Sequence, residues 1–79
     1  MYNPQLKVFA AAVQAGSFTK AAQRLFISPT AVMKQINALE AHLGMKLILR
    51  TNQGIKLTPA GESVYRDALF LFDYSEKSL

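Results

Sequence analysis

The chain contains no cysteine, no tryptophan and a single histidine, His42. Without cysteine there is neither a disulfide nor a thiolate metal site, and one histidine cannot assemble a zinc site of another kind. The same absence fits a reducing compartment. Carboxylates are also scarce, with Glu40 standing alone before Glu62. No acid, base or nucleophile arrangement stands out among them. A Ser17, His42 and Asp67 triad can be written on paper, but no nucleophile motif supports it. No apolar run approaches the ~18 residues of a membrane span. The opening MYNPQLKVF lacks the basic start and apolar run of a signal peptide. These absences exclude most enzyme classes and leave no reason to expect a metal, a cofactor or a membrane. A cytoplasmic protein is the default.

What is present is a basic body. Residues 1–60 carry seven cations and one anion, a net of +6, whereas residues 61–79 carry two cations and four anions, a net of −2. A basic body with a mildly acidic tail points to a polyanion on one side of the molecule, against the plainer reading of lysines as solvated surface. Seventy-nine residues allow one domain with a modest core.

The three prolines mark the organisation. Asn3-Pro4, Ser28-Pro29 and Thr58-Pro59 each set a good N-cap before a proline at the first helical position, where its missing N–H is no loss. The first helix, about 4–15, carries the stripe Leu6, Phe9, Ala10 and Val13, and Gly16 can end it. A second helix, about 18–25 and capped by Ser17 or Thr19, has Phe18, Ala21, Ala22 and Leu25 on its apolar face. Its two alanines let another helix approach closely. The third helix, about 29–43, is striped by Val32, Ile36, Leu39 and Leu43 and ends at Gly44. KLILRT and IKLT then read as strands, about 46–50 and 55–58, joined at Asn52-Gln53-Gly54. A last helix, about 59–76, follows Thr58-Pro59. The fold is therefore mainly α with a small β-hairpin. Two helices joined by the short turn FIS make a helix-turn-helix, and the hairpin after them makes it a winged helix.

The third helix has a second face: Pro29, Thr30, Met33, Lys34 and Asn37. It starts at the helix N-terminus and is too poor in charge for ordinary solvated surface. In the last helix, Ala60, Val64, Tyr65, Ala68, Leu69, Leu71, Phe72 and Leu79 span about half the circumference, wider than one small domain needs. One edge is expected on the first helix and the other on a second copy. Val64, Tyr65, Ala68, Leu69, Leu71 and Phe72 are the candidate dimer residues. Phe70, an aromatic among charges, suggests a further contact. Gly61 costs helix propensity and suits close packing near the wing.

Taken together, GSFTKAAQRL, SPTAVMKQINALEAHLGMKLILRT and LTPAG resemble the N-terminal DNA-binding domain of LysR-type transcriptional regulators. The likeness covers roughly residues 4 to 65. It implies residues 1–58 as a winged helix-turn-helix domain and 59–79 as a linker and dimerisation helix. It also implies a C-terminal effector-binding domain, the place for a small-molecule effector, that lies outside this chain. The partners implied are double-stranded DNA carrying a pseudo-palindromic operator and further copies of the chain, in a dimer or higher oligomer. The recognition helix lies in the major groove and the wing at the neighbouring minor groove.

On that reading Pro29, Thr30, Met33 and Lys34 face base edges. Lys34 donates to guanine, Met33 and the Thr30 methyl meet thymine methyls, and Pro29 offers shape alone. Ser28 caps the helix and contacts phosphate, where unpaired N–H groups favour an anion. Ser17, Thr19, Lys20 and Gln35 are phosphate neighbours by the resemblance, and Arg24 is a weaker candidate. Arg50, Gln53 and Lys56 belong to the wing. The chain departs from the family pattern at Pro29 (commonly glutamine), Met33 (commonly serine), Lys34 (often arginine), Ile48 (commonly aromatic) and the wing tip Asn52-Gln53, which often holds arginine. The bland readings are Met33 as gap filler, Lys20, Lys46 and Lys56 as solvated, Ser28 as a cap only, and His42 as a helix-end charge partner. The competing class is a winged helix used for protein–protein assembly.

Overall fold

Three of the helices start where a hydroxyl takes a free backbone N–H. In the computed structural model, which describes residues 4–77 and side chains as far as residue 70, Ser17 Oγ accepts from Lys20 N at 3.1 Å and opens α2, Phe18–Leu25. Ser28 Oγ accepts from Ala31 N at 3.0 Å and opens α3, Pro29–Leu43. Thr58 Oγ1 accepts from Gly61 N at 2.9 Å at the start of α4, Pro59–Lys77. The first helix, α1, runs Pro4–Ala15; its expected cap Asn3 lies outside the described residues. All four helices match the predicted spans to within a residue.

The turn between α2 and α3 contains no glycine. Phe26 takes the left-handed conformation itself, at φ 60° and ψ 39°. Its N–H and that of Ile27 both close on Ala22 O. A non-glycine residue held there costs about 1–2 kcal/mol, and its ring is 94% exposed, so the turn gains no packing from it.

The core is made of Phe9, Ala12, Ala21, Ala22, Val32, Ile36, Leu39, Leu47 and Ile48. Three alanines in that group allow α1, α2 and α3 to pack closely. Leu43, the last residue of the predicted stripe, is 39% exposed because the final turn of α3 runs past this cluster.

The hairpin consists of β1, Ile48–Thr51, and β2, Gly54–Leu57, antiparallel with Ile48 opposite Leu57 and Arg50 opposite Ile55. Both strands differ from the predicted 46–50 and 55–58, and the reason lies in their flanks. Leu47 N and Ile48 N donate to Glu40 Oε2 at 2.8 and 3.1 Å. Thr58 Oγ1 donates to Lys46 O at 2.6 Å, and Thr58 N donates to Leu47 O at 3.1 Å. Residues 46, 47 and 58 are thus bound outside the ladder. At the other end, Thr51 Oγ1 donates to Gly54 O at 3.1 Å, which brings Thr51 and Gly54 into the ladder.

The amino half of α4 returns to the body. Tyr65 meets Phe9 edge to face, centroids 6.4 Å apart at 84°. Ala60 and Val64 also pack on the core. Ala68 is 0% exposed. This corrects part of the predicted dimer surface: the Ala68 side chain is consumed within its own chain, and Val64 and Tyr65 are half-buried there. Leu69 and Phe70 remain outward, at 37% and 73% exposure. Leu71, Phe72 and Leu79 lie outside the residues whose side chains are described. Among the described residues no helix is long and apolar enough to cross a membrane.

Gly61 is where α4 meets the wing. A Cβ built there overlaps the Leu47 carbonyl oxygen and lies 2.9 Å from the carbonyl carbon, both backbone atoms. Gly61→Ala is expected to destabilise the fold by about 1–3 kcal/mol, as overpacking does. Urea denaturation measures it, and an unchanged midpoint would show that α4 can lift off Leu47 without penalty.

Candidate nucleic-acid interface

The outward side of α3 is set by what its inward side buries. With Val32, Ile36 and Leu39 in the core, the 3.6-residue repeat turns Thr30, Lys34 and Asn37 away from it, and all three are exposed, as is Pro29 at the first helical position. Met33 stands at the edge, partly buried. The amino end of α3 is therefore open, and Ser28 is engaged as its cap while its residue stays exposed.

Two neighbours flank it. One is the start of α2, where Ser17 caps and Thr19 and Lys20 are exposed. The other is the hairpin. Strand alternation puts Arg50 on the same side as buried Ile48, with Ile55 opposite it in the ladder packed against the core. Arg50 thus faces the body. Its guanidinium carbon sits 5.0 Å from the centroid of the Phe18 ring, and Nη1 donates to Met33 Sδ at 3.7 Å. One wing residue touches both the start of α2 and the outward edge of α3. A shallow recess lined by residues 16–19, Arg50, Thr51, Gly54 and Ile55 runs between α2 and the hairpin.

The wing tip is a tight turn. Gln53 N donates to Thr51 Oγ1 at 3.2 Å, and Gly54, at φ +118°, lies so close to Gly16 that a Cβ would stand 3.1 Å from the Gly16 carbonyl. The turn is braced on the α1–α2 corner. Gln53 and Lys56 are exposed, and Lys56 pairs opposite Leu49 on the side of the hairpin away from Arg50.

Electrostatically the surface is one-sided. Glu40, the lone carboxylate of the first sixty residues, is drawn inward by the Leu47 and Ile48 amides, and its Oε1 lies 3.7 Å from Lys46 Nζ. Among the described residues, no carboxylate forms an ion pair with Lys20, Lys34, Arg50 or Lys56. A phosphate approaching the start of α3 meets cations and helix N-termini with no competing anion beside them.

Arg50 joins the start of α2, where Ser17, Thr19 and Lys20 lie, to Met33 on α3, whose amino end carries Ser28, Pro29, Thr30 and Lys34. Gln35 stands apart. It lines a separate shallow recess with Pro4, Gln5 and His42, because it lies about 200° round the helix from Met33. Among the described residues no group of His, Asp and Glu could hold a metal ion. Sequence reasoning missed Phe18 as the platform under Arg50, because nothing local links residues 18 and 50. It also gave Glu40 no task, although its being the only anion in sixty residues was a readable signal.

Comparison with known proteins identifies the family. The family described as bacterial regulatory helix-turn-helix protein, lysR family, matches residues 4–62. The chain is 43% identical over 75 residues to the HTH-type transcriptional regulator TfdS of Cupriavidus pinatubonensis, covering 95% of this chain and 25% of TfdS. It superposes on the CbnR DNA-binding domain in its crystal structure with DNA at a TM-score of 0.87 and 40% identity, covering 99% of this chain and 90% of that one. For the BenM DNA-binding domain in complex with catB site 1 DNA the values are 0.90, 36%, 99% and 84%. The chain spans about a quarter of the length of the curated relatives it matches. By matched residues and identity alike, it belongs to the lysR family of bacterial regulatory helix-turn-helix proteins.

Proposed function

We propose that this chain is the DNA-binding portion of a bacterial LysR-type transcriptional regulator, reading duplex DNA with α3 in the major groove and the hairpin at the adjoining minor groove. The observation that carries the reading is the open amino end of α3: Thr30 and Lys34 exposed, Lys20 and Arg50 beside them, and the lone nearby carboxylate turned inward. Its similarity to two domains crystallised with DNA supports the same geometry. Pro29, Thr30, Met33 and Lys34 approach base edges. Ser17, Thr19, Lys20 and Ser28 approach phosphates, with Gln35 at the margin toward α1. Gln53 and Lys56 serve the minor-groove side. The chain has no catalytic task, works in the bacterial cytoplasm, and belongs to a longer protein whose remaining part binds the effector.

Binding as a dimer follows from two-fold pairing of α4, which would set two recognition helices on pseudo-palindromic half-sites. Leu69 and Phe70 are the outward apolar residues on the described part of that helix. Leu69→Glu is expected to turn a dimer into a monomer in sedimentation at micromolar concentration. A parent chain that sediments as a monomer would remove the dimer.

The reading of DNA is tested by titrating duplexes at two salt concentrations. Affinity is expected to fall steeply with salt, by counterion release. Lys34→Ala is expected to cost about 1–3 kcal/mol on the preferred duplex and to relax the preference at one position. Equal weakening on every sequence would reassign Lys34 to a phosphate. Binding that ignores salt would favour a protein partner on this face.

A further inference from the structure

Met33 and Arg50, each placed at the DNA-facing surface above, also contact one another. A methionine on a helix surface has three rotatable bonds and a soft sulfur, so it adapts to its surroundings and defines no single shape. A loose side chain of that kind selects a base poorly, because its ordering must be supplied on binding. Here its freedom is already restricted. Met33 is partly buried, and Arg50 Nη1 donates to its Sδ at 3.7 Å. The guanidinium is itself fixed, since its carbon lies 5.0 Å from the Phe18 ring centroid. Phe18 packs on the core directly after the Ser17 cap. Arg50 leaves the strand on the side of buried Ile48, so the backbone aims it at this contact.

We infer that Arg50 is a positioning residue that holds Met33 as a preorganised apolar probe, and that the pair selects a thymine by its 5-methyl group. The inference rests on the proposed DNA-binding function. With the sulfur engaged, the torsion left to Met33 is the one about Cγ–Sδ, which swings its terminal methyl. A thioether offers at most a weak acceptor. Of the groups on the major-groove edges of the four bases, the thymine 5-methyl is the apolar one. Cytosine opposite the same probe would lose water from its amino group and gain no acceptor of comparable strength. The planar guanidinium fork, which stacks on a ring and donates at a fixed angle, is what lysine cannot supply. The role of Arg50 is thereby distinct from adding one more positive charge to the wing.

The test uses the full chain and its preferred duplex, selected from random sequences. Each thymine is replaced singly by deoxyuridine, which removes the methyl and leaves every hydrogen bond in place. One thymine per half-site is expected to weaken binding about fourfold on replacement, the worth of one buried methyl group. Met33→Ala is expected to abolish that penalty. Arg50→Lys, which keeps the charge, is expected to shrink it by half or more with an unchanged salt slope. Met33→Leu keeps an apolar probe without the sulfur, and in that background Arg50→Lys is expected to have no further effect on the penalty, the coupling a double-mutant cycle isolates. Circular dichroism of each variant confirms the fold. If Arg50→Lys and Met33→Leu act additively, or if no deoxyuridine penalty depends on Met33 while binding stays salt-sensitive, the inference falls and DNA binding stands. If the chain shows no salt-sensitive binding to any duplex, the functional reading falls and the inference with it.

Discussion

The peptide of Leu47 is the constraint on which the rest of the molecule depends. Its N–H donates to Glu40 on α3, its carbonyl accepts from Thr58 N at the start of α4, and its side chain is fully buried in the core. Gly61 lies so close to the same carbonyl that a Cβ there would overlap it. One residue thus ties the recognition helix, the wing and the last helix into a single body. Hydrogen bonds to a charged acceptor contribute about 1.5–3 kcal/mol each, so the Glu40 carboxylate, taking both the Leu47 and Ile48 amides, is a strong anchor for so small a domain. The angle at which the hairpin leaves that anchor is what brings Arg50 over Phe18 and against Met33.

The same carboxylate shapes the electrostatics. A basic domain gains little from its charge if acids are scattered among the cations. This one has a single acid in its first sixty residues and spends it on backbone amides. The open end of α3 is left with cations and helix N-termini. The acidic groups Glu62 and Asp67 sit on α4, so attraction for a polyanion has a direction as well as a magnitude.

Much of the architecture was legible because the signals were local. A hydroxyl before proline marks a helix start wherever it occurs, and the stripes on α1, α2 and α3 name most of the core. What was not legible is what depends on contacts across the chain. The strand ends moved by one or two residues because Glu40, Lys46 and Thr58 bind the flanks of the hairpin from seven to twelve positions away. The left-handed turn falls on Phe26, against the propensity of its side chain. Ala68 belonged to a stripe wide enough for two partners, and only the packing of α4 on α1 says which partner takes it. Of the site, the outward face of α3 followed from periodicity alone. The Phe18–Arg50–Met33 stack did not, because it joins three elements through side chains 15 to 32 residues apart.

The central claim is that the amino end of α3, the start of α2 and the inner side of the hairpin form one DNA-facing surface on a rigid body. Mapping backbone amide shifts by NMR during titration with a specific duplex tests it most directly. The largest changes are expected at residues 17–20, 28–34 and 50–56, with the exposed side of α4 and the His42 end of α3 little affected. Changes concentrated on α4 or around His42, with residues 28–34 silent, would contradict it.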